Sequence, residues 1–191
     1  MSKGSQNAVQ MDWMDHPYST DFLQSTLDRI IGFVNSCDVK ASIVLGIFGI
    51  VLGGLLSDSI LSIILCNLNI AIGSDGLIAT LYLVLFTLSS LSILIGLFSL
   101  ISAISAKVKP SKRDSRVYFV DIANNATIEA YKKKLVPLKE TEVNDDLISQ
   151  IYINSKICTR KYKRYNFGLI VLVIGVIVFL LVNLAARIIL S

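Results

Sequence analysis

The sequence predicts an all-α multi-pass membrane protein with three transmembrane helices and a small, mainly helical cytoplasmic module. Of its 191 residues, 53% are hydrophobic and 17% are charged, and the mean hydropathy is +0.66. Soluble domains carry about 25% charged residues. The stretches 76–106 and 165–186 contain no charged residue. Each is longer than the ~20 residues that a helix needs to cross a bilayer. A soluble enzyme is therefore excluded.

The three predicted spans are 41–57, 76–106 and 165–186. The first has 17 uncharged residues, at the short end of the spanning range, and the second has 31. As one helix the second would reach about 46 Å, so it must tilt or extend into water. The segment 58–75 is too short and too polar to cross. We expect it to be an outer loop that lies on the headgroups or re-enters the membrane.

Positive charge is concentrated in one connecting segment. Lys and Arg number 14 in 107–164, whereas 57–75 contains none. Cytoplasmic loops carry such an excess of Lys and Arg. We therefore expect the amino terminus and 107–164 in the cytoplasm, and the loop 58–75 and the carboxyl-terminal residues 187–191 outside.

Residues 1–17 form a polar tail that we expect to be disordered, and an amphipathic helix is predicted over 18–40. Ser19 or Thr20 can cap this helix, and its apolar residues recur with 4-3-4-3 spacing toward the first span. These residues are Leu23, Leu27, Ile30, Val34 and Cys37. The apolar face packs on the chain's own module or pairs with a second subunit.

The module, 107–164, shows three local patterns. Residues 116–121 are apolar, β-branched and aromatic, which favours a strand or an extended segment. Residues 127–135 favour a short helix that ends before Pro137. A further helix opens at Asp145 and continues into the third span, with a length above forty residues.

Small residues mark the first two spans. The first has Gly46, Gly49 and Gly53 at helical spacing, and the second has serines on both sides of Gly96. Such residues let membrane helices approach closely. We interpret both sets as helix packing, with self-assembly as the alternative. The serines are Ser89, Ser90, Ser92, Ser99 and Ser102.

The sequence contains no enzymatic constellation. It has no GxSxG, no glycine-rich phosphate loop and no HExxH motif, and its one histidine, His16, lies in the polar tail. Cys37, Cys66 and Cys158 lack the spacing of a metal site, and we expect no disulfide framework. We expect no catalytic residue, no metal and no bound cofactor.

The positive charge of the module has two possible explanations. In 107–164, 14 cations face 7 acidic residues, a net charge of +7. Anionic lipid headgroups can account for most of this excess. Alternatively, cations interleaved with aromatic residues neutralise the phosphate of an anionic ligand and stack on its base. The residues that we expect in such a ligand site are Arg113, Arg116, Tyr118, Lys156 and Arg160.

Four short motifs resemble those of the Pycsar transmembrane effectors, the PycTM family. They are Asp38-Val-Lys40-Ala41-Ser42, Val117-Tyr-Phe-Val-Asp121, Asp146-Leu-Ile-Ser-Gln-Ile-Tyr152 and Lys161-Tyr162. The first lies at the mouth of the first span, the second follows the second span, and the last two lead into the third. The resemblance extends from about Ser19 to Ala186.

The resemblance implies an effector of antiphage defence in the bacterial inner membrane. A neighbouring cyclase makes a cyclic pyrimidine nucleotide, cUMP or cCMP, which the effector binds before it impairs the membrane, and the infected cell dies. The partners implied are this nucleotide, the lipid bilayer and further copies of the chain in a homo-oligomer, with no nucleic acid. Asp38 and Lys40 lie where a hinge or an ion pair would couple nucleotide binding to the spans.

Two other classes of protein remain open at this point. One is a holin-like or scaffolding membrane protein that assembles without a ligand, and the other is an accessory subunit of a transporter. A holin-like protein has no need of a basic, aromatic module such as 107–164. This consideration favours the nucleotide-gated effector.

Overall fold

The computed structural model describes residues 18–74, 76–105, 115–116, 118–136 and 140–189. Six helices and no strand occupy this part of the chain. They are α1 (Thr20–Leu55), α2 (Asp58–Ile72), α3 (Leu77–Ile104), α4 (Phe119–Ala123), α5 (Ile128–Leu135) and α6 (Glu140–Ile189). The polar tail, 1–17, for which we predicted disorder, lies outside the described residues.

Helices α1, α3 and α6 are long and apolar enough to cross a membrane. Many of their large apolar side chains are exposed, for example Ile50 at 78% and Phe98 at 75%. Such exposure suits helices that face lipid, which is as apolar as the side chains themselves. The prediction of an all-α chain with three membrane-spanning helices is confirmed.

Helix α1 carries one apolar stripe along its length. Leu23 and Cys37 are buried, and the intervening residues of the 4-3-4-3 pattern are half-buried. The stripe continues through Ala41 to Phe48, both of which are buried. Ser19 caps the helix, because its Oγ accepts a hydrogen bond from the backbone N–H of Phe22 at 3.2 Å. One continuous helix therefore covers both the predicted amphipathic segment and most of the first span.

Helix α2 lies where we expected an outer loop. It has 15 residues, and its buried residues are Asn67 and Ala71. Ala71 belongs to an apolar cluster with Ala79 and Tyr82 of α3 and Val182 of α6. The segment is helical because this apolar face has α3 and α6 to pack against, which the short sequence pattern alone did not indicate.

The described chain divides into two compact units. The module comprises 18–33 with 115–116, 118–136 and 140–158, and the membrane unit comprises 34–74, 76–105 and 159–189. Helices α1 and α6 contribute residues to both units.

In the module, the predicted short helix is confirmed as α5. Its cap is Thr127, whose Oγ1 accepts a hydrogen bond from the backbone N–H of Ala130 at 3.1 Å. The predicted strand or extended segment at 116–121 is wrong in its second half, because α4 begins at Phe119. The backbone N–H of Tyr118 donates to Ser115 Oγ at 3.0 Å, and this bond turns the chain into α4.

The membrane unit is organised around a close crossing of α3 and α6. A Cβ on Gly96 would lie 2.7 Å from the backbone nitrogen of Leu172, and one on Gly175 would lie 3.0 Å from that of Ile93. A Cβ on Gly168 would lie 3.0 Å from the Gly96 carbonyl oxygen. These distances leave no room for a side chain, so the glycines allow the two backbones to touch.

Serine hydroxyls join the two helices along this crossing. Ser92 Oγ donates to the carbonyl oxygen of Val171 at 3.0 Å, and Ser99 Oγ donates to that of Arg164 at 2.9 Å. Hydrogen bonds between membrane helices contribute about 0.6–2 kcal/mol each. The prediction that the small residues of the second span serve helix packing is therefore correct.

The same prediction is wrong for the first span. Among the described residues, nothing on another helix lies within 4 Å of a Cβ placed on Gly46, Gly49, Gly53 or Gly54. The spacing of these glycines is typical of a packing face, but within this chain α1 packs through its opposite, larger residues. Phe48, Val44 and Leu45 contact the cluster of Leu100 and Leu172.

We predict that Gly96→Ala destabilises the membrane unit, whereas Gly49→Ala does not. The new methyl group at position 96 would lie 2.7–2.8 Å from backbone atoms of Leu172. Backbone atoms within a helix cannot move aside as the end of a flexible side chain can. Overpacking of this kind costs about 1–3 kcal/mol. Thermal unfolding in detergent should show a lower Tm for Gly96→Ala and an equal or higher one for Gly49→Ala. Equal Tm values for both variants would contradict the importance of this crossing.

Candidate functional site

The centre of the module is polar. Four of its polar side chains are at most 7% exposed, namely Ser115, Asp121, Asn144 and Gln150. Its buried apolar residues are Leu23 and Leu147. Buried polar groups are stable only when they are hydrogen-bonded, so the bonding pattern determines the arrangement of this unit.

Ser115 is the hub of this polar cluster. Its backbone N–H donates to Asp121 Oδ2 at 3.1 Å, and its Oγ accepts from Gln150 Nε2 at 3.2 Å. The same Oγ accepts the backbone N–H of Tyr118. The hub thus joins the segment before α4, α4 itself and α6.

Arg116 is held at both its backbone and its side chain. Its backbone N–H donates to Asp146 Oδ2 at 2.8 Å, and its carbonyl oxygen accepts from Tyr131 Oη at 2.9 Å. Its guanidinium Nη1 lies 3.3 Å from Glu142 Oε2 in a partly exposed ion pair. An anion at this position must therefore compete with Glu142 for the guanidinium.

Asn144 attaches the beginning of α1 to α6. Its Oδ1 accepts from Thr20 Oγ1 at 2.9 Å, and its Nδ2 donates to the carbonyl oxygen of Tyr18 at 3.0 Å. A single buried amide thus uses both of its polar atoms to fix where α1 starts.

A cation and an aromatic ring lie together on the exposed side of α6. Lys156 Nζ is 4.2 Å from the centroid of the Tyr152 ring, and the Tyr152 side chain is among the exposed ones, at 61%. The two residues are one helical turn apart, the spacing at which side chains on a helix meet. This pair presents a flat ring and an ammonium group to solvent.

The predicted ligand residues that the structure describes lie in different places. Arg116 and Tyr118 lie in the polar cluster, and Lys156 lies with Tyr152 on α6. Arg160 is exposed and belongs to the membrane unit. Arg113 lies outside the described residues.

In the membrane unit, Asp38 forms an ion pair with Lys161. Lys161 Nζ lies 2.5 Å from Asp38 Oδ1 and 2.7 Å from Oδ2, and the Lys161 side chain is only 13% exposed. Lys40, which we had grouped with Asp38, is exposed and its Nζ lies 6.0 Å from the centroid of Tyr162. Asp38 and Lys161 lie in two separate sequence motifs, and no local pattern indicates that they pair.

Arg164 lies on α6 beside the carboxyl-terminal end of α3. Its Nη1 donates to the carbonyl oxygen of Ser102 at 3.2 Å, while its own carbonyl oxygen accepts from Ser99. A cation near the last carbonyls of α3 also interacts favourably with the helix dipole.

A buried polar network at the other end of the membrane unit was not predicted. Tyr82 Oη donates to Asn183 Oδ1 at 3.2 Å, and Asn67 Nδ2 donates to the Asn183 carbonyl oxygen at 3.2 Å. The sequence contains one indication of this network, because Asn67 and Asn183 lie within strongly apolar segments. Polar residues at such positions are usually satisfied by one another.

Among the described residues no group of His, Cys, Asp and Glu is placed to hold a metal ion. The free cysteines in this part of the chain are Cys37, Cys66 and Cys158. Fold and site together define a multi-pass membrane protein with a polar helical module.

The family of the chain follows from comparison with known proteins. The model of the Pycsar effector protein domain, PycTM, matches residues 22–188. The Pycsar effector protein GmPycTM of Gulbenkiania mobilis is 33% identical over 174 residues, which cover 83% of this chain and 88% of that protein. No solved structure matches the chain. The chain belongs to the Pycsar effector family.

Membership confirms the resemblance seen in the sequence and assigns the chain to antiviral defence. The matched residues include parts of both the module and the membrane unit. The family is a transmembrane effector family and not a known family of enzymes.

Proposed function

We propose that this protein binds cUMP or cCMP at a cytoplasmic module and then impairs the bacterial inner membrane. A neighbouring cyclase makes the nucleotide during phage infection, and the loss of membrane function kills the infected cell before the phage matures. The module and the amino terminus are cytoplasmic, the carboxyl terminus is outside, and the active form is a homo-oligomer.

The observation that carries this proposal is the match of one Pycsar effector domain to residues 22–188. This range takes in nearly all of the described module and nearly all of the membrane unit. We therefore assign both nucleotide binding and membrane damage to these two units. The 14 cations of 107–164 support the cytoplasmic placement and the affinity for an anionic messenger.

Tyr152 and Lys156 are the residues best presented for a nucleotide. The exposed ring can stack on a pyrimidine base, and the ammonium group 4.2 Å from its centroid can neutralise the cyclic phosphate. Arg116 is a second candidate for the phosphate. Its pairing with Glu142 is exposed, and exposed ion pairs contribute only about 0–1 kcal/mol, so a phosphate can displace the carboxylate.

The pair of Asp38 and Lys161 is the proposed coupling element. It joins α1 to α6, the two helices that contribute residues to both units. The pair lies within the membrane unit, a few residues beyond the module on each helix. A nucleotide can drive a change in the spans only if it binds one arrangement of these helices more tightly than the other.

The open glycine face of α1 supports the proposed homo-oligomer. A Cβ on Gly46, Gly49 or Gly53 would meet none of the described residues of other helices within 4 Å. Such a face permits close approach of a helix from a second copy.

The function is tested with purified protein in liposomes that contain a self-quenched dye. We expect dye release on addition of micromolar cUMP or cCMP, and no release with cAMP or cGMP. Release without any nucleotide would favour the holin-like class instead. No release, together with no binding by calorimetry, would refute the proposal.

Tyr152→Ala and Lys156→Ala should each weaken nucleotide binding. Stacking on an aromatic side chain contributes about 1–3 kcal/mol per base, which corresponds to a loss of roughly 5- to 150-fold in affinity. Calorimetry on protein in nanodiscs measures this loss. Lys133→Ala is the matched control, because Lys133 is an exposed lysine of the same module on α5. Equal nucleotide affinity in all three variants would show that Tyr152 and Lys156 do not bind the nucleotide.

Asp38→Asn and Lys161→Met should abolish nucleotide-triggered dye release while nucleotide binding persists. Each variant leaves one charge of a partly buried pair without its partner. The exchange of the two charges, Asp38→Lys with Lys161→Asp, should restore part of the release. Lys40→Ala measures the contribution of Lys40, and unchanged release in that variant would exclude Lys40 from coupling. If binding and release fell together in the Asp38 and Lys161 variants, the pair would not be a coupling element.

A further inference from the structure

Helix α2 is attached to its neighbours by few polar contacts. In the described part of the chain, one side-chain hydrogen bond links it to another helix, from Asn67 Nδ2 to the carbonyl oxygen of Asn183. Its apolar contacts include those of Ala71 and Leu68 with the cluster of α3 and α6. By contrast, α3 and α6 share several hydrogen bonds and the glycine contacts.

Asn183, whose backbone carbonyl oxygen accepts this bond, is also held through its side chain. Asn183 also accepts from Tyr82 Oη and donates from Nδ2 to the Phe179 carbonyl oxygen at 2.8 Å. Asn67, Tyr82 and Asn183 are 5%, 5% and 9% exposed. An amide in an apolar surrounding needs a partner, so Asn67 favours the packed position of α2 strongly over one facing hydrocarbon.

Helix α2 follows α1 with almost no intervening chain. Leu56 and Ser57 connect them, and the backbone N–H of Ser57 donates to the Gly54 carbonyl oxygen at 3.2 Å. A displacement of α1 along or across the bundle therefore displaces α2. The opposite portion of α1 carries Asp38, which is paired with Lys161.

We infer that α2 is a latched flap, held in the resting arrangement by the hydrogen bond from Asn67 to Asn183. Release of this latch, through movement of α1, accompanies the opening of the membrane unit. The inference rests on the proposed function, because it assigns to α2 the step between movement of α1 and membrane damage.

The test compares Asn67→Ala with Asn69→Ala in dye-loaded liposomes without nucleotide. Asn69 is an exposed asparagine of the same helix, two residues away, whose side chain forms no hydrogen bond with the described residues. Loss of one hydrogen bond changes an equilibrium about fivefold. We expect basal dye release about five times that of the parent protein for Asn67→Ala, and an unchanged rate for Asn69→Ala. Equal, low release from both variants would overturn the latch.

A second readout reports on α2 itself. Cys66 is exposed and adjacent to Asn67, so a spin label on Cys66 reports the mobility of this helix when Cys37 and Cys158 are replaced by alanine. The label should become more mobile with Asn67→Ala and not with Asn69→Ala. Should Asn67→Ala fail to fold, Asn67→Leu replaces it. That variant removes the amide that donates to the Asn183 carbonyl oxygen and keeps a side chain of similar size. An immobile label with unchanged release in that variant would overturn the latch.

The basal measurements use no nucleotide, so the two hypotheses fail separately. In one outcome, Asn67→Ala releases dye without nucleotide, and the parent protein releases none when cUMP or cCMP is added. This outcome would support the latch and refute the proposed ligands. A parent protein that responds to nucleotide, with an Asn67→Ala variant that behaves identically, would refute the latch and leave the proposed function standing.

Discussion

The contact of α3 and α6 backbones is the constraint on which the membrane unit depends. Because a Cβ on Gly96 would lie 2.7 Å from Leu172, the two helices are near enough for serine hydroxyls of one to reach carbonyl oxygens of the other. The same proximity lets Tyr82 reach Asn183. Helix α1 then packs on this pair through apolar side chains and one ion pair, and α2 through a small cluster and one hydrogen bond.

The module achieves a defined arrangement by a different means. It is small and buries little apolar surface, so its elements are held by amides, hydroxyls and carboxylates whose partners are specific. Among the described residues, no buried side-chain nitrogen or oxygen lacks a hydrogen-bond partner. Such networks fix geometry through direction, since each bond is satisfied in one arrangement, and they gain strength where water is excluded. A ligand that supplies competing donors or acceptors can therefore favour another arrangement.

Patterns that depend on one helix were predictable from the sequence, and pairings between distant segments were not. The absence of charge located the spans, the 4-3-4-3 spacing located the buried stripe of α1, and Thr127 marked the start of α5. The glycines of α1 and Gly96 of α3 look equivalent in sequence, yet among the described residues Gly96 contacts another helix's backbone and the α1 glycines do not. Lys161 is 123 residues from Asp38, and no local pattern connects them. Ser115 carried no sign of its role, because its bonds depend on residues of α4 and α6.

The bonds of α3 have a consequence for biosynthesis. Ser92 and Ser99 donate to carbonyl groups 79 and 65 residues later in the chain, on a helix that the ribosome delivers after α3. Until α6 enters the bilayer, the hydroxyl-bearing face of α3 has no partner on that helix and the glycine contacts do not exist. Each nascent chain therefore passes through a stage in which α3 has only α1 and α2 to pack against, and its closest backbone contacts form when α6 arrives.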